Sequence, residues 1–183
     1  LMSIMMALVK PTSGRLLVDG KDINKKDDLI FKWRTEISNV PQELFLIDDD
    51  FSKNIAFGIS EQNIDIEKIM TASKKANTHE FISNTKNKYR TLVGEKGSNL
   101  SGGQIQRIAI ARALYKDSSV IFFDEATSAL DEYTESNIMK EIENLSDQIT
   151  LIIISHKLST IKKCDKVYEI KDGSLFQVKE KNV

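Results

Sequence analysis

Two stretches, Val120-Ile121-Phe122-Phe123 and Leu151-Ile152-Ile153-Ile154, are apolar at every position. A strand with one wet face alternates polar and apolar residues, so strands without alternation are covered on both faces. Between them lies a mixed polar and apolar helical pattern from about Glu132 to Leu145. The order strand, helix, strand implies a parallel sheet with helices on both sides. In such sheets ligands bind outside the carboxyl ends of the strands. The first run ends in Asp124-Glu125 and the second in Ser155-His156. Two separate stretches therefore deliver ionisable groups to one rim.

The remaining elements fit one α/β domain. Arg15-Leu16-Leu17-Val18 reads as a short strand before the turn Asp19-Gly20. Ile37–Val40 is another, ended by Pro41-Gln42. From about Asp65 to Asn84 the pattern is helical, through Ile66, Ile69, Met70, Ser73, Ala76, Phe81 and Ile82. Lys166–Ile170 and Leu175–Val178 flank Asp172-Gly173 as a hairpin. At the front, Leu1, Ile4, Met5 and Leu8 fall at helical spacing and Pro11 ends the pattern. That helix opens with no capping residue, so its beginning is expected upstream of Leu1.

Length and charge exclude several classes. At 183 residues one core is expected and two are marginal. A net charge of -1 argues against a strongly basic nucleic-acid binder. No segment approaches the roughly 18 apolar residues of a membrane span. Leu1–Val9 lacks the preceding basic stretch and the following cleavage site of a signal peptide, and reads as a buried helix. The single cysteine, Cys164, cannot form an internal disulfide and reads as a small half-buried thiol near a strand start.

Gly94 to Gly103 holds four glycines in ten residues and leads into a helix. Ser101-Gly102-Gly103-Gln104 has the spacing of a capping box, with Ile105, Ile108, Ala109 and Ala113 as the buried stripe behind it. A helix start presents free N–H groups and a positive dipole end, and Gly102 and Gly103 leave it open to phosphate. A plain glycine-rich turn before a core helix explains the same residues. Asp124 and Glu125 offer hard oxygen to Mg²⁺ and a base to an attacking water; an acidic pair also caps helices. His156 alone is more often a structural histidine.

Together these residues resemble the ATP-binding cassette (ABC) ATPases. Leu100–Gln104 matches the signature motif, and Val120–Asp124 followed by Glu125 matches the Walker B strand and catalytic carboxylate. Ser128-Ala129-Leu130-Asp131 is similar to the D-loop, Gln42 to the Q-loop glutamine and His156 to the switch histidine. The resemblance implies a P-loop NTPase-type, mostly parallel sheet flanked by helices, with an inserted helical subdomain over roughly 43–108. It implies ATP and Mg²⁺, with Asp124 and Gln42 at the metal, Glu125 as general base and His156 at the γ-phosphate. Ser101, Gly102, Gly103, Gln104 and Asp131 would face the nucleotide of a second domain in a head-to-tail dimer. Catalysis would rest on positioning and charge stabilisation.

Val93–Gly97, Asn54–Gly58 and Glu125–Asp131 are similar to ABC exporters, and Lys163–Tyr168 resembles flippases of lipid-linked saccharides. Exporters imply a fused transmembrane domain, placement on the cytoplasmic face of the cell membrane, and no nucleic acid. The family's phosphate loop, G-x-x-G-x-G-K-[ST], does not occur in these residues, and Leu1-Met2-Ser3 resembles the helix directly after it. The expectation is therefore a cassette cut just after that loop, with an incomplete N-terminal β part and little activity alone. Ile105, Ser155, Lys157 and Asp48-Asp49-Asp50 are milder departures from the family pattern. Two other readings stay open: a non-catalytic or regulatory cassette remnant that binds a partner, and a DNA-repair or chromosome-type cassette.

Overall fold

A computed structural model describes residues 1–127, 129–143 and 149–180; Ser128 of the expected D-loop and Leu145 of the expected helix lie outside the described residues. In chain order it runs α1 (Met2–Met5), β1 (Leu17–Val18), β2 (Lys21–Asp22), α2 (Asp27–Glu36), β3 (Ile37–Val40), α3 (Phe51–Ile55), α4 (Ile66–Lys75) and α5 (His79–Ser83). It continues with α6 (Gly102–Tyr115), β4 (Val120–Asp124), α7 (Glu132–Glu143), β5 (Thr150–Ile154), α8 (Leu158–Lys163), β6 (Lys166–Lys171) and β7 (Ser174–Glu180).

The two apolar runs become β4 and β5, parallel neighbours in a sheet of order β3-β4-β5. Pleating sends successive β4 side chains to opposite faces. Phe122 meets Met2, Met6 and Ile37 on one face. Ile121 and Phe123 join the main core on the other, with Ile108, Ile110 and Ile138. Full burial holds for the centre of β4, whereas β5 is only partly covered and Ile154 is 41% exposed. Among the described residues β5 pairs with β4 alone, so one of its edges carries no strand.

Helix α6 packs against β3, α3 and α4. Ile108, Ala109, Ile110, Ala111 and Ala113 are all buried, because the helix is enclosed on more than the single expected stripe. The expected 65–84 helix is broken in two. Asn77 adopts φ 55° between α4 and α5, a left-handed conformation that asparagine tolerates. Buried Thr78 then folds back, its N–H donating to the Ser73 carbonyl at 2.8 Å. The apolar spacing still reports burial, since Ile69, Ala76 and Ile82 are fully enclosed.

The front helix differs from expectation. It ends at Met5, and Ala7 turns left-handed at φ 55°, which leaves Leu1 and Leu8 exposed while Met2 and Met6 pack on Phe122. Its open carbonyls are answered from α2: Trp33 Nε1 donates to Met5 O at 2.8 Å, and Arg34 donates to Ala7 O at 2.5 Å. Helix α2 is not among the elements expected from sequence, although Leu29, Ile30 and Trp33 fall at helical spacing and pack with Ala7 and Ile23; Ile30 is its one buried residue.

Asn54 is buried in α3 and ties down the loop that follows β3. Its Oδ1 accepts from the Ile47 N–H at 3.0 Å, and its Nδ2 donates to the carbonyls of Ile47 and Asp50 at 3.0 and 3.1 Å. Arg112 of α6 donates to the Asn54 carbonyl at 2.8 Å and covers Phe57 at 4.6 Å; burial pulls its guanidinium down to about 10, still charged at neutral pH. Asn54→Ala strips the Ile47 N–H of its partner and removes the amide donor from the carbonyls of Ile47 and Asp50, which keep the N–H groups of Asp49 and residue 54. The expected loss is about 2–4 kcal/mol, read as a lower urea midpoint at unchanged slope.

Candidate functional site

The site grows from the carboxyl ends of three adjacent strands. After β3, Pro41 stops the ladder and Gln42 follows. After β4, Glu125 turns left-handed at φ 49°, and its N–H donates to the Ile154 carbonyl at 3.0 Å. That conformation is uncommon for a non-glycine residue. After β5 come Ser155 and His156. The three loops meet at one carboxylate. Gln42 Nε2 donates to Glu125 Oε2 at 3.1 Å, and His156 Nε2 lies 2.9 Å from Glu125 Oε1. The rim that the sequence implied thus closes into a bracket around Glu125.

Exposure separates the two main partners. The His156 side chain is 87% exposed and that of Glu125 27%, so an incoming ligand meets the imidazole first. A cavity of about 60 Å³ is lined by Glu125, Thr127, Ser155, His156 and Lys157. That is room for a few waters beside the carboxylate. Asp124 pairs in register with Ile154 at the end of β4, directly before this turn.

The glycine-rich helix start is built as the sequence implied. Gln104 N–H donates to Ser101 Oγ at 3.3 Å and Ser101 N–H donates to Gln104 Oε1 at 2.9 Å, a complete capping box. Gly103 allows a close approach here: a Cβ would stand 3.3 Å from the Ala129 carbonyl oxygen and 3.7 Å from Leu130, tighter than an ordinary van der Waals contact with the oxygen. Buried Gln106 accepts from the Ala129 N–H at 3.1 Å. Gly102 and Gly103 therefore sit against the 129–130 segment. Asp131 caps α7, accepting from the Thr134 N–H at 2.9 Å, and this bond holds its carboxyl below the ordinary range.

A second network lies behind the bracket. Buried Glu135 of α7 accepts from Thr127 Oγ1 at 3.0 Å, Thr160 Oγ1 at 2.9 Å and Lys157 Nζ at 2.6 Å. Lys157 Nζ also donates to the Thr127 carbonyl at 2.8 Å. Burial pushes the Glu135 carboxyl up, but the bonds from Lys157, Thr160 and Thr127 outweigh it and hold the group below its ordinary value. The stability it adds is present near neutral pH and is lost as pH falls through the folded-state value. Sequence reasoning missed Glu135, although a signal was there: Glu135, Ile138, Met139 and Ile142 fall at i, i+3, i+4, i+7, which puts a carboxylate on a buried stripe.

Ionisable groups gathered at the carboxyl edge of a parallel sheet, in a domain that also carries a capped glycine-rich helix start, define an α/β protein with a candidate ligand site at that edge. The sequence profile of the family described as ABC transporter matches residues 1–128. The chain is 45% identical over 168 residues to multidrug resistance protein 1 of Entamoeba histolytica, covering 91% of this chain and 13% of that protein. It is 40% identical over 168 residues to the leukotoxin translocation ATP-binding protein LktB of Pasteurella haemolytica-like sp. (strain 5943B), covering 91% of this chain and 23% of that protein. Its fold is similar to that of a bacterial Atm1-family ABC exporter with ATP bound, with a TM-score of 0.87, 36% identity, and coverage of 94% of this chain and 29% of that one. The chain belongs to the ABC transporter family, and its fold is that family's P-loop NTPase type. It spans between 13% and 23% of the length of these two relatives.

Proposed function

We propose that these residues form ATP-binding and ATP-hydrolysing machinery of an ABC exporter, in which Glu125 is the general base. The observation that carries this reading is the bracket: one carboxylate from β4, held by Gln42 after β3 and His156 after β5. A base must be positioned within hydrogen-bond reach of the water it deprotonates. Glu125 has that geometry, with a small cavity beside it. His156, whose side chain is 87% exposed, would contact the γ-phosphate. Gln42 would report on the bracket's occupancy to a membrane partner through its loop.

Asp124 and Gln42 would hold Mg²⁺. With Nε2 donating to Glu125, Gln42 keeps Oε1 as a hard oxygen donor. Among the described residues no cluster of three or more His, Cys, Asp or Glu could hold a cation, so phosphate oxygens and water would complete the shell. Mg²⁺ bound there would neutralise charge on the transferring phosphoryl group.

The proposed assembly is a head-to-tail pair of such domains on the cytoplasmic face of the membrane, driven together with a transmembrane domain. Ser101–Gln104 and Asp131 would face the partner's nucleotide. Among the described residues no helix is long and apolar enough to cross a membrane. The helical subdomain would span roughly 43–108, with α6 shared between it and the sheet. The test is Mg²⁺-dependent ATP turnover by the full-length protein, expected to vanish when EDTA removes the metal. A folded full-length protein that neither binds nor turns over Mg-ATP would overturn the reading.

A further inference from the structure

We infer that Lys157 is a positioning residue, a strut that fixes His156 against Glu125 by locking two rim loops to the buried carboxylate of Glu135. The inference rests on the proposed role of the bracket. Lys157 directly follows His156, and its Nζ donates both to the Thr127 carbonyl, two residues after Glu125, and to Glu135 Oε2. One ammonium therefore joins the loop that carries the base to the loop that carries the imidazole. Glu135 is in turn fixed by Thr127 and Thr160, at 3.0 and 2.9 Å.

The arrangement explains two otherwise unaccounted facts. His156 is exposed, with little packing to hold its ring, yet it stands 2.9 Å from Glu125. Something behind it must fix the backbone, and the Lys157 N–H donates to Ser155 Oγ at 3.0 Å while its side chain reaches back beneath the rim. Glu135, for its part, is an acidic group buried on an apolar stripe. Burying a carboxylate is unfavourable unless it is paired and hydrogen-bonded, and Glu135 meets that condition through Thr127 after β4 and Lys157 after β5, which points to a geometric task. A strut between two loops is such a task. It needs no contact with nucleotide.

The experiment compares Lys157→Met, Lys157→Arg and Glu135→Gln in the full-length protein, each alone and with His156→Ala. Lys157→Met is expected to lower kcat by about 10–100-fold with KM for ATP nearly unchanged, because misplacement of about an ångström carries penalties of that size. Lys157→Arg, which keeps a cation with enough donors for both oxygens, restores turnover. In the His156→Ala background Lys157→Met has no further effect, since the group it positions is gone. An equal loss in both backgrounds would mark a merely structural role and overturn the inference. A structure of nucleotide-free Lys157→Met reads the geometry without any activity: the His156–Glu125 contact is lost if the strut is real and kept if it is not. Should Lys157→Met fail to fold, Glu135→Gln keeps the packing and answers the same two questions. If Glu125→Gln and His156→Ala both retain turnover, the proposed function falls, while the structural comparison still decides the strut.

Discussion

Glu125→Gln lowers ATP turnover of the full-length protein by about 10²–10⁴-fold, the span for a positioned general base. The size follows from how little else the change disturbs. The amide has the volume of the carboxylate, and its carbonyl oxygen can still accept from Gln42 Nε2. Its NH₂ can donate to a neutral His156 nitrogen where the carboxylate now meets that ring. The turn at Glu125 is held by its own N–H to the Ile154 carbonyl, which the substitution leaves in place. Basicity alone is removed. ATP affinity should stay within a few-fold of wild type, since Glu125 holds no phosphate in this reading. Equilibrium binding of Mg-ATP and single-turnover hydrolysis check the two halves separately. Turnover near wild type would take the role of base away from Glu125, and a large loss of ATP affinity would make it a binding group instead.

The legible parts of this site were those that strand physics writes into the sequence. Two apolar runs ending in Asp124-Glu125 and in His156 told of parallel strands and of a shared rim, although full burial holds for the centre of β4 and not for β5. The capping box was legible because Ser101 and Gln104 act locally, through one turn of helix. What stayed hidden depended on distant partners. Nothing near Gln42 in sequence says that its amide meets a carboxylate 83 positions later. Helix α2 was hard to read because its apolar stripe is short, Leu29, Ile30 and Trp33, and its hold on the front helix comes from Trp33 and Arg34 donating to the distant carbonyls of Met5 and Ala7. The break at Asn77 was hidden because a left-handed asparagine interrupts a helix without interrupting its apolar spacing. Lys157 was visible only as a departure from the family pattern. Its pairing with Glu135 required the fold.

The same separation gives the second large effect. Ser101→Arg is expected to lower turnover by at least about 10²-fold, comparable to losing a donor aimed at developing phosphate charge. In the proposed dimer the start of α6 serves the partner's nucleotide. Its N–H groups must remain open, and even a Cβ added at Gly103 would stand 3.3 Å from the Ala129 carbonyl oxygen, so there is little room for a side chain on that side. An arginine at the cap occupies the approach with bulk and a competing guanidinium. It also removes the Ser101 cap, which by itself costs about 0.5–2 kcal/mol of stability, so Ser101→Gly serves as the control that loses the hydroxyl while staying tolerable at a cap. Combining each change with Glu125→Gln separates assembly from chemistry. The Glu125→Gln protein should accumulate an ATP-bound pair of domains, detectable by cross-linking across the interface, and adding Ser101→Arg should abolish that species while Ser101→Gly only weakens it. A Ser101→Arg protein that turns over ATP cooperatively at the wild-type rate would place the α6 start away from any nucleotide and leave its glycines with a packing role alone.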